Sequence, residues 1–125
     1  GRRQSTARAF LDPARSRPNL AIETDALVHN VVLEGKRCVG VAYSVHGQKK
    51  EARAGREVIV SCGAVQSPGV LEHSGIGQPE LLKRHGIEVR HELKGVGENY
   101  GDHFAPRMNW RVKLPITLNE RTRGL

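Results

Sequence analysis

The residues able to do chemistry are few. Histidines stand at His29, His46, His73, His85, His91 and His103, and cysteines at Cys38 and Cys62. They do not combine into a ligand set of metal-site spacing. Asp102 directly precedes His103, the make-up of an acid–base pair in which a carboxylate orients an imidazole. A third candidate is the stretch "GAVQSPGVLEHSGIG", residues 63–77, which follows the apolar run "EVIVSC". Gly63 and Ala64 carry almost no side chain, so a ligand could approach the backbone beyond the carboxyl end of a strand. Open α/β sheets bind ligands at that place. A tight strand-to-helix connection without a ligand explains the same residues equally well.

The elements that must position these residues are legible in outline. Ser5 is a good N-cap, and Ala7, Phe10, Leu11 and Ala14 share a helical face, which predicts a helix over 5–16 that Pro13 kinks or shortens. Residues 22–54 predict an antiparallel meander. In "RCVGVAYSV" Val39, Val41, Tyr43 and Val45 alternate with Cys38, Gly40, Ala42 and Ser44, a period of two. The small-residue face lets another backbone or a ligand come close. Turns fall at Gly35-Lys36 and His46-Gly47. "REVIVSC" is a continuous apolar run and predicts a strand at 58–62 buried on both faces.

Ser67-Pro68 reads as N-cap and first helical residue of a helix over 68–74, which Gly75 ends in a left-handed conformation. Pro79 and Gly86 bracket a third helix over 79–85. "KGVGENYGDHF" is a loop, and 106–114 is a candidate last strand.

Composition bounds the rest. The chain has 125 residues, 38% hydrophobic and 4% aromatic, with a formal net charge of +7. That is one domain at most, with a modest core of Val, Leu, Ile and Ala. The positive charge raises a basic nucleic-acid-binding or partner-binding module without catalysis as an alternative. Its aromatic residues are few and scattered, and no helix-turn-helix, zinc or RNA-binding signature appears, so no nucleic-acid partner is expected. No apolar run approaches the roughly 18 residues of a membrane span, and no signal-peptide pattern is present. Two well-separated cysteines suit buried free thiols in a reducing compartment, so the expected location is cytoplasmic.

Gly63-Ala64, Ser67-Pro68, Val70-Leu71 and Ser74-Gly75-Ile76-Gly77 resemble, position by position, the second signature of the glucose–methanol–choline (GMC) oxidoreductases. "AFLDPARSRPNLAIETDALVHNVVLEGKRCVGVAYS" resembles that family's helix, extended strand and hairpin. "GIEVRHELKGVGENYGDHF" is similar to its Val-Gly-x-Asn-Leu-x-Asp-His loop, with Tyr100 in place of the usual Leu. The resemblance covers about residues 5–112 and is closest to the choline dehydrogenase and alcohol dehydrogenase branch.

The resemblance implies an FAD-dependent enzyme that passes a hydride from an alcohol to flavin N5. It places residues 5–102 in the middle of the FAD-binding domain and 103–125 at the start of a substrate-domain region or linker. The fold class it implies is an α+β or α/β fragment: an antiparallel meander plus a buried strand and short helices. The family's Gly-x-Gly-x-x-Gly turn is not found after a strand here, so this chain alone is expected to be inactive and free of FAD. An alcohol is the expected substrate of the parent protein, and the isolated chain is expected to self-associate.

By the same resemblance, Val28 contacts the adenine of FAD through its backbone N–H and C=O. Ser61, Gly63 and Ala64 lie near the adenosine half. His103 and Asn99 belong to a loop motif and anchor it. No catalytic residue is expected in this chain.

Overall fold

The computed structural model describes residues 4–108, 110, 111, 113 and 114. A single π-helical turn, Ala7–Leu11, runs into α1, Asp12–Ala14. Ser5 caps this segment as expected, its Oγ accepting the Arg8 N–H at 3.3 Å. The wide turn has a cause in Pro13. Proline brings no N–H to the ladder, and the Asp12 N–H before it reaches back five residues to the Ala7 carbonyl.

The meander follows as β1 (Ala26–Glu34), β2 (Arg37–Val45) and β3 (Gln48–Arg53), antiparallel in the order β1-β2-β3. It starts at Ala26, later than 22, because Asp25 takes a left-handed turn at φ 55°. Gly35 turns β1 into β2 at φ 59°. His46 and Gly47 both have positive φ, the backbone of a two-residue type I′ hairpin whose twist matches its strands. Gly40 lies so close to the Ala52 carbonyl that it has no room for a Cβ. The close approach expected at the small-residue positions of β2 is therefore made by its own neighbour β3.

Two expected element bounds need correction. Residues 58–62 carry no strand ladder, and Ile59 is 78% exposed. A strand exists only against a partner, and among the described residues none pairs with this run.

The second correction concerns the helix start. α2 runs over Gly63–His73, so it begins five residues before Pro68 and Pro68 lies inside it. Gly63, at φ 88°, lets the chain enter the helix straight after Cys62. Ser67 is not the N-cap. Its Oγ instead accepts the Cys62 N–H at 2.9 Å, returning from within the helix to a donor at its start, as the acidic member of a capping box does.

Beyond α2, Gly75 ends the helix at φ 82°, its N–H donating to the Glu72 carbonyl at 2.9 Å. β4 (Ile76–Gly77) then pairs in parallel with β5 (His91–Glu92). Between them lies α3 (Pro79–Arg84), with Pro79 in its first turn and Gly86 left-handed past its end, both as expected. The core is small: Val31, Val39, Val70, Leu82 and Val96 are the buried hydrophobic residues described. The candidate strand over 106–114 shows no strand among its described residues; Asn109 and Val112 lie outside them. No helix among the described residues is long and apolar enough to cross a membrane.

Candidate functional site at the edge of the meander

The architecture leaves β1 as an edge strand, and its register decides what that edge offers. Val28 pairs with Tyr43 and Asn30 with Ala42, so His29 is an extra residue, a β-bulge. In antiparallel ladders, pairs that exchange hydrogen bonds alternate with pairs that do not. Val45 and Gln48 close the tight β2–β3 hairpin, which makes them a bonded pair. Counting back two residues at a time, Tyr43 and Val41 also spend their N–H and C=O on β3. Their partners on β1, Val28 and Val31, therefore point their backbone groups outward.

Val31 confirms this phase directly. Its N–H donates to Ser74 Oγ at 2.8 Å, and its carbonyl accepts Asn30 Nδ2 at 2.9 Å. Ser74 is 5% exposed and donates in turn to the Val70 carbonyl at 2.6 Å. The end of α2 is thus fastened to the edge of β1. On the other side of the bulge, Leu27, Val28 and His29 face Gln66, Gly69, Val70 and His73 of α2 across an open cavity of about 290 Å³.

This edge leaves a backbone donor and a backbone acceptor of Val28 free to meet a ligand. An outward N–H and an outward C=O on one residue offer a donor and an acceptor at fixed spacing. Gly69, without a side chain, widens the helix side of the cleft. Val28 is half-buried there, whereas Ser61, Gly63 and Ala64 are exposed at or before the start of α2. The cleft lining includes Val28 but none of those three. Gln66, Gly69 and the fastening at Ser74 were not found by sequence reasoning. The serine of "HSGIG" was the one available signal, and nothing local says that a serine there bonds a strand 43 residues away.

The remaining candidates do not converge. Asp102 Oδ1 accepts the His103 backbone N–H at 2.7 Å, and the imidazole stands fully exposed. The carboxylate is therefore shaping the loop backbone. Asn99 holds a left-handed turn at φ 58°, a conformation asparagine tolerates. Cys38 and Cys62 are both free, and Cys62 is exposed rather than buried, because it precedes the helix on the surface. No group of three or more potential ligands is suited to a metal among the described residues.

A charged cluster lies beside β2. Glu23 accepts from Lys50 Nζ at 2.6 Å and from the Tyr43 hydroxyl at 2.7 Å. The Lys50 bond, then the Tyr43 bond, lowers the carboxyl below its ordinary value. The same Glu23 bond raises Lys50 and Tyr43 above theirs.

Residues 1–105 match the family model described as GMC oxidoreductase. Over 118 residues the chain is 53% identical to an oxygen-dependent choline dehydrogenase of Chromohalobacter salexigens, covering 94% of this chain and 21% of that protein. It is 50% identical over 121 residues to the oxygen-dependent choline dehydrogenase of Serratia proteamaculans, covering 94% and 22%. The chain thus spans about a fifth of the length of these relatives. Among solved structures, an FAD-dependent oxidoreductase from Chaetomium thermophilum superposes with a TM-score of 0.68 at 33% identity, over 71% of this chain and 16% of that one. Pyridoxine 4-oxidase from Mesorbium loti gives 0.69 at 29%, over 74% and 18%.

Proposed function

The chain belongs to the GMC oxidoreductase family, and we propose that it forms part of the FAD-binding domain of an enzyme that oxidises an alcohol, with choline as the first candidate substrate. The observation that carries this reading is the 53% identity with a choline dehydrogenase, spread over 94% of the chain. When bound, FAD would supply the hydride acceptor. The residues of this chain do the holding. The Val28 N–H and C=O meet the edge of the adenine. Gly69 and Gln66 form the facing wall. Ser61, Gly63 and Ala64, at the start of α2, border the adenosine half.

On this reading residues 5–102 belong to the FAD-binding domain and 103–125 lead toward the substrate region, which supplies the pocket for the alcohol. The chain contributes no catalytic residue, and Asp102-His103 shapes a loop. A cytoplasmic location accords with the two free thiols. A basic nucleic-acid module is disfavoured by the pairing of its charges. Arg15, Lys50, Arg53, Arg90 and Lys94 each face a carboxylate, and the few, scattered aromatic residues give the remaining cations no base-stacking platform.

The test is made on the complete protein. It should purify with a flavin spectrum, and anaerobic choline should bleach that spectrum. Bleaching by other alcohols but not by choline would move the substrate assignment. A complete, folded protein that neither retains nor takes up FAD would end the reading.

A further inference from the structure

The bulge at His29 does more than bend β1. In an unbroken strand, residues three apart face opposite edges. The extra residue brings Val28 and Val31 to the same edge. At Val31 that edge is occupied by Ser74 Oγ, and Ser74 is tied to the Val70 carbonyl one turn earlier in α2. Of its polar neighbours on β1, Asn30 serves the same residue, through the Val31 carbonyl, while His29 Nε2 bonds Ser44 Oγ of β2 at 3.0 Å.

We infer that Ser74 is a positioning residue for the ligand edge at Val28, the ligand class being a planar base that offers a donor and an acceptor side by side. The inference rests on the adenine reading of Val28. Val70 lies at once in the bond from Ser74 and in the wall opposite Val28. The hydroxyl therefore holds both sides of the cleft, the strand through Val31 and the helix through Val70, and sets the gap between them. A serine suits the task because its one oxygen accepts from the strand and donates to the helix.

Replacing Ser74 by alanine leaves the Val31 N–H without its buried partner. Among the described residues no other hydrogen bond then joins β1 to α2, and apolar contact fixes no particular spacing. The base would lose the width it needs before the enzyme loses its fold.

The experiment titrates the complete apoprotein with FAD and with ADP, which carries the adenine half without the flavin ring. Wild type, Ser74→Ala, Ser74→Thr, Ser74→Cys and Val28→Pro are compared. Ser74→Ala should weaken both ligands by roughly tenfold, the scale of one hydrogen bond to a fixed partner. Ser74→Thr, which restores the hydroxyl, should recover most of that loss. Ser74→Cys keeps the volume but accepts weakly, so it should behave like alanine and serves in its place if alanine does not fold. The visible spectrum and reduction potential of the FAD-saturated variants should equal those of wild type, since the flavin ring is not touched.

Ser74 variants that melt earlier but bind FAD and ADP as wild type does would overturn the inference and leave a purely structural serine. If Val28→Pro weakens both ligands while the Ser74 variants do not, only the positioning role fails. A folded Val28→Pro protein with unchanged affinity for both ligands would remove the adenine reading itself.

Discussion

Gly75 stands against the carbonyl of Glu88 so closely that a Cβ at position 75 would run into its oxygen. The contact exists because the Gly75 carbonyl receives the N–H groups of Arg90 and His91, at 2.9 and 3.1 Å, where β4 meets β5. Gly86 has a similar positive φ of 71°, with nothing near its missing Cβ. The two sites separate backbone strain from collision. Gly86→Ala should cost about 1 kcal/mol, the usual penalty for a left-handed residue. Gly75→Ala should cost at least about 3 kcal/mol, because strain and overpacking add. Denaturant unfolding of the complete protein measures both, and equal losses would contradict the contact described.

Several of these details lay open in the sequence and several did not. The β2 alternation, the His46-Gly47 turn, Pro79 and Gly86 act locally, and each is found where the residue type demands it. The start of α2 was hidden because Ser-Pro is a common helix start and because Gly63 can begin a helix only through a conformation no pattern announces. The run at 58–62 has the composition of a strand, while the described residues supply no ladder for it. At the candidate site, Val28 was reached through family resemblance. The bulge that turns its backbone outward depends on the register of three strands, which no single stretch encodes.

The Glu23 cluster should give a pH-dependent contribution to stability. Glu23 has its folded value lowered from 4.5, so its share is present above that value and fades as pH falls through the folded one. Lys50 is raised from 10.5, and its share is present below that value and is lost as pH rises through the folded one. The Tyr43 hydroxyl, raised from 10.0, follows the same sense as Lys50. Wild type should therefore exceed Glu23→Gln across neutral pH, and the two should converge in acid. The cluster is on the surface, so the difference is small and shrinks with salt. Melting temperatures against pH at two salt concentrations check it; a gap that widens in acid would contradict the assignment.

Val28 can be tested without breaking the sheet. Its N–H faces the open edge, a strand position where proline is tolerated. Val28→Pro should leave the complete protein folded and reduce FAD retention on gel filtration. Val28→Ile keeps the backbone groups and should retain FAD normally. Loss of FAD in both would point to the side chain rather than the backbone.

Exposed apolar side chains predict how the 125-residue chain behaves by itself. Ile59 and Val65 flank the start of α2, and Leu27 lies on the edge strand; they are 78%, 69% and 65% exposed. Such surface near an open strand edge invites association. Sedimentation of the isolated chain should show concentration-dependent self-association, and Ile59→Lys with Leu27→Lys should reduce it. A clean monomer at high concentration would count against this expectation.

The isolated chain should also be colourless. On the proposed reading its contribution to FAD is the adenine edge at Val28, at most two backbone hydrogen bonds, each worth roughly 1 kcal/mol net. Holding a free ligand costs at least about 4 kcal/mol in lost motion. The strong contacts to such a cofactor are those to its pyrophosphate at a helix N-terminus, and the glycine turn that makes them is not in this sequence. The balance therefore falls on the side of no binding. Purified chain should show no flavin absorbance, and added FAD should give no saturable fluorescence change in the micromolar range, roughly −8 kcal/mol of binding. ADP should behave the same way, since its pyrophosphate would find no partner either. Tight stoichiometric uptake of FAD would mean that the determinants lie within these residues, at the start of α2 around Ser61, Gly63 and Ala64 rather than at Val28 alone.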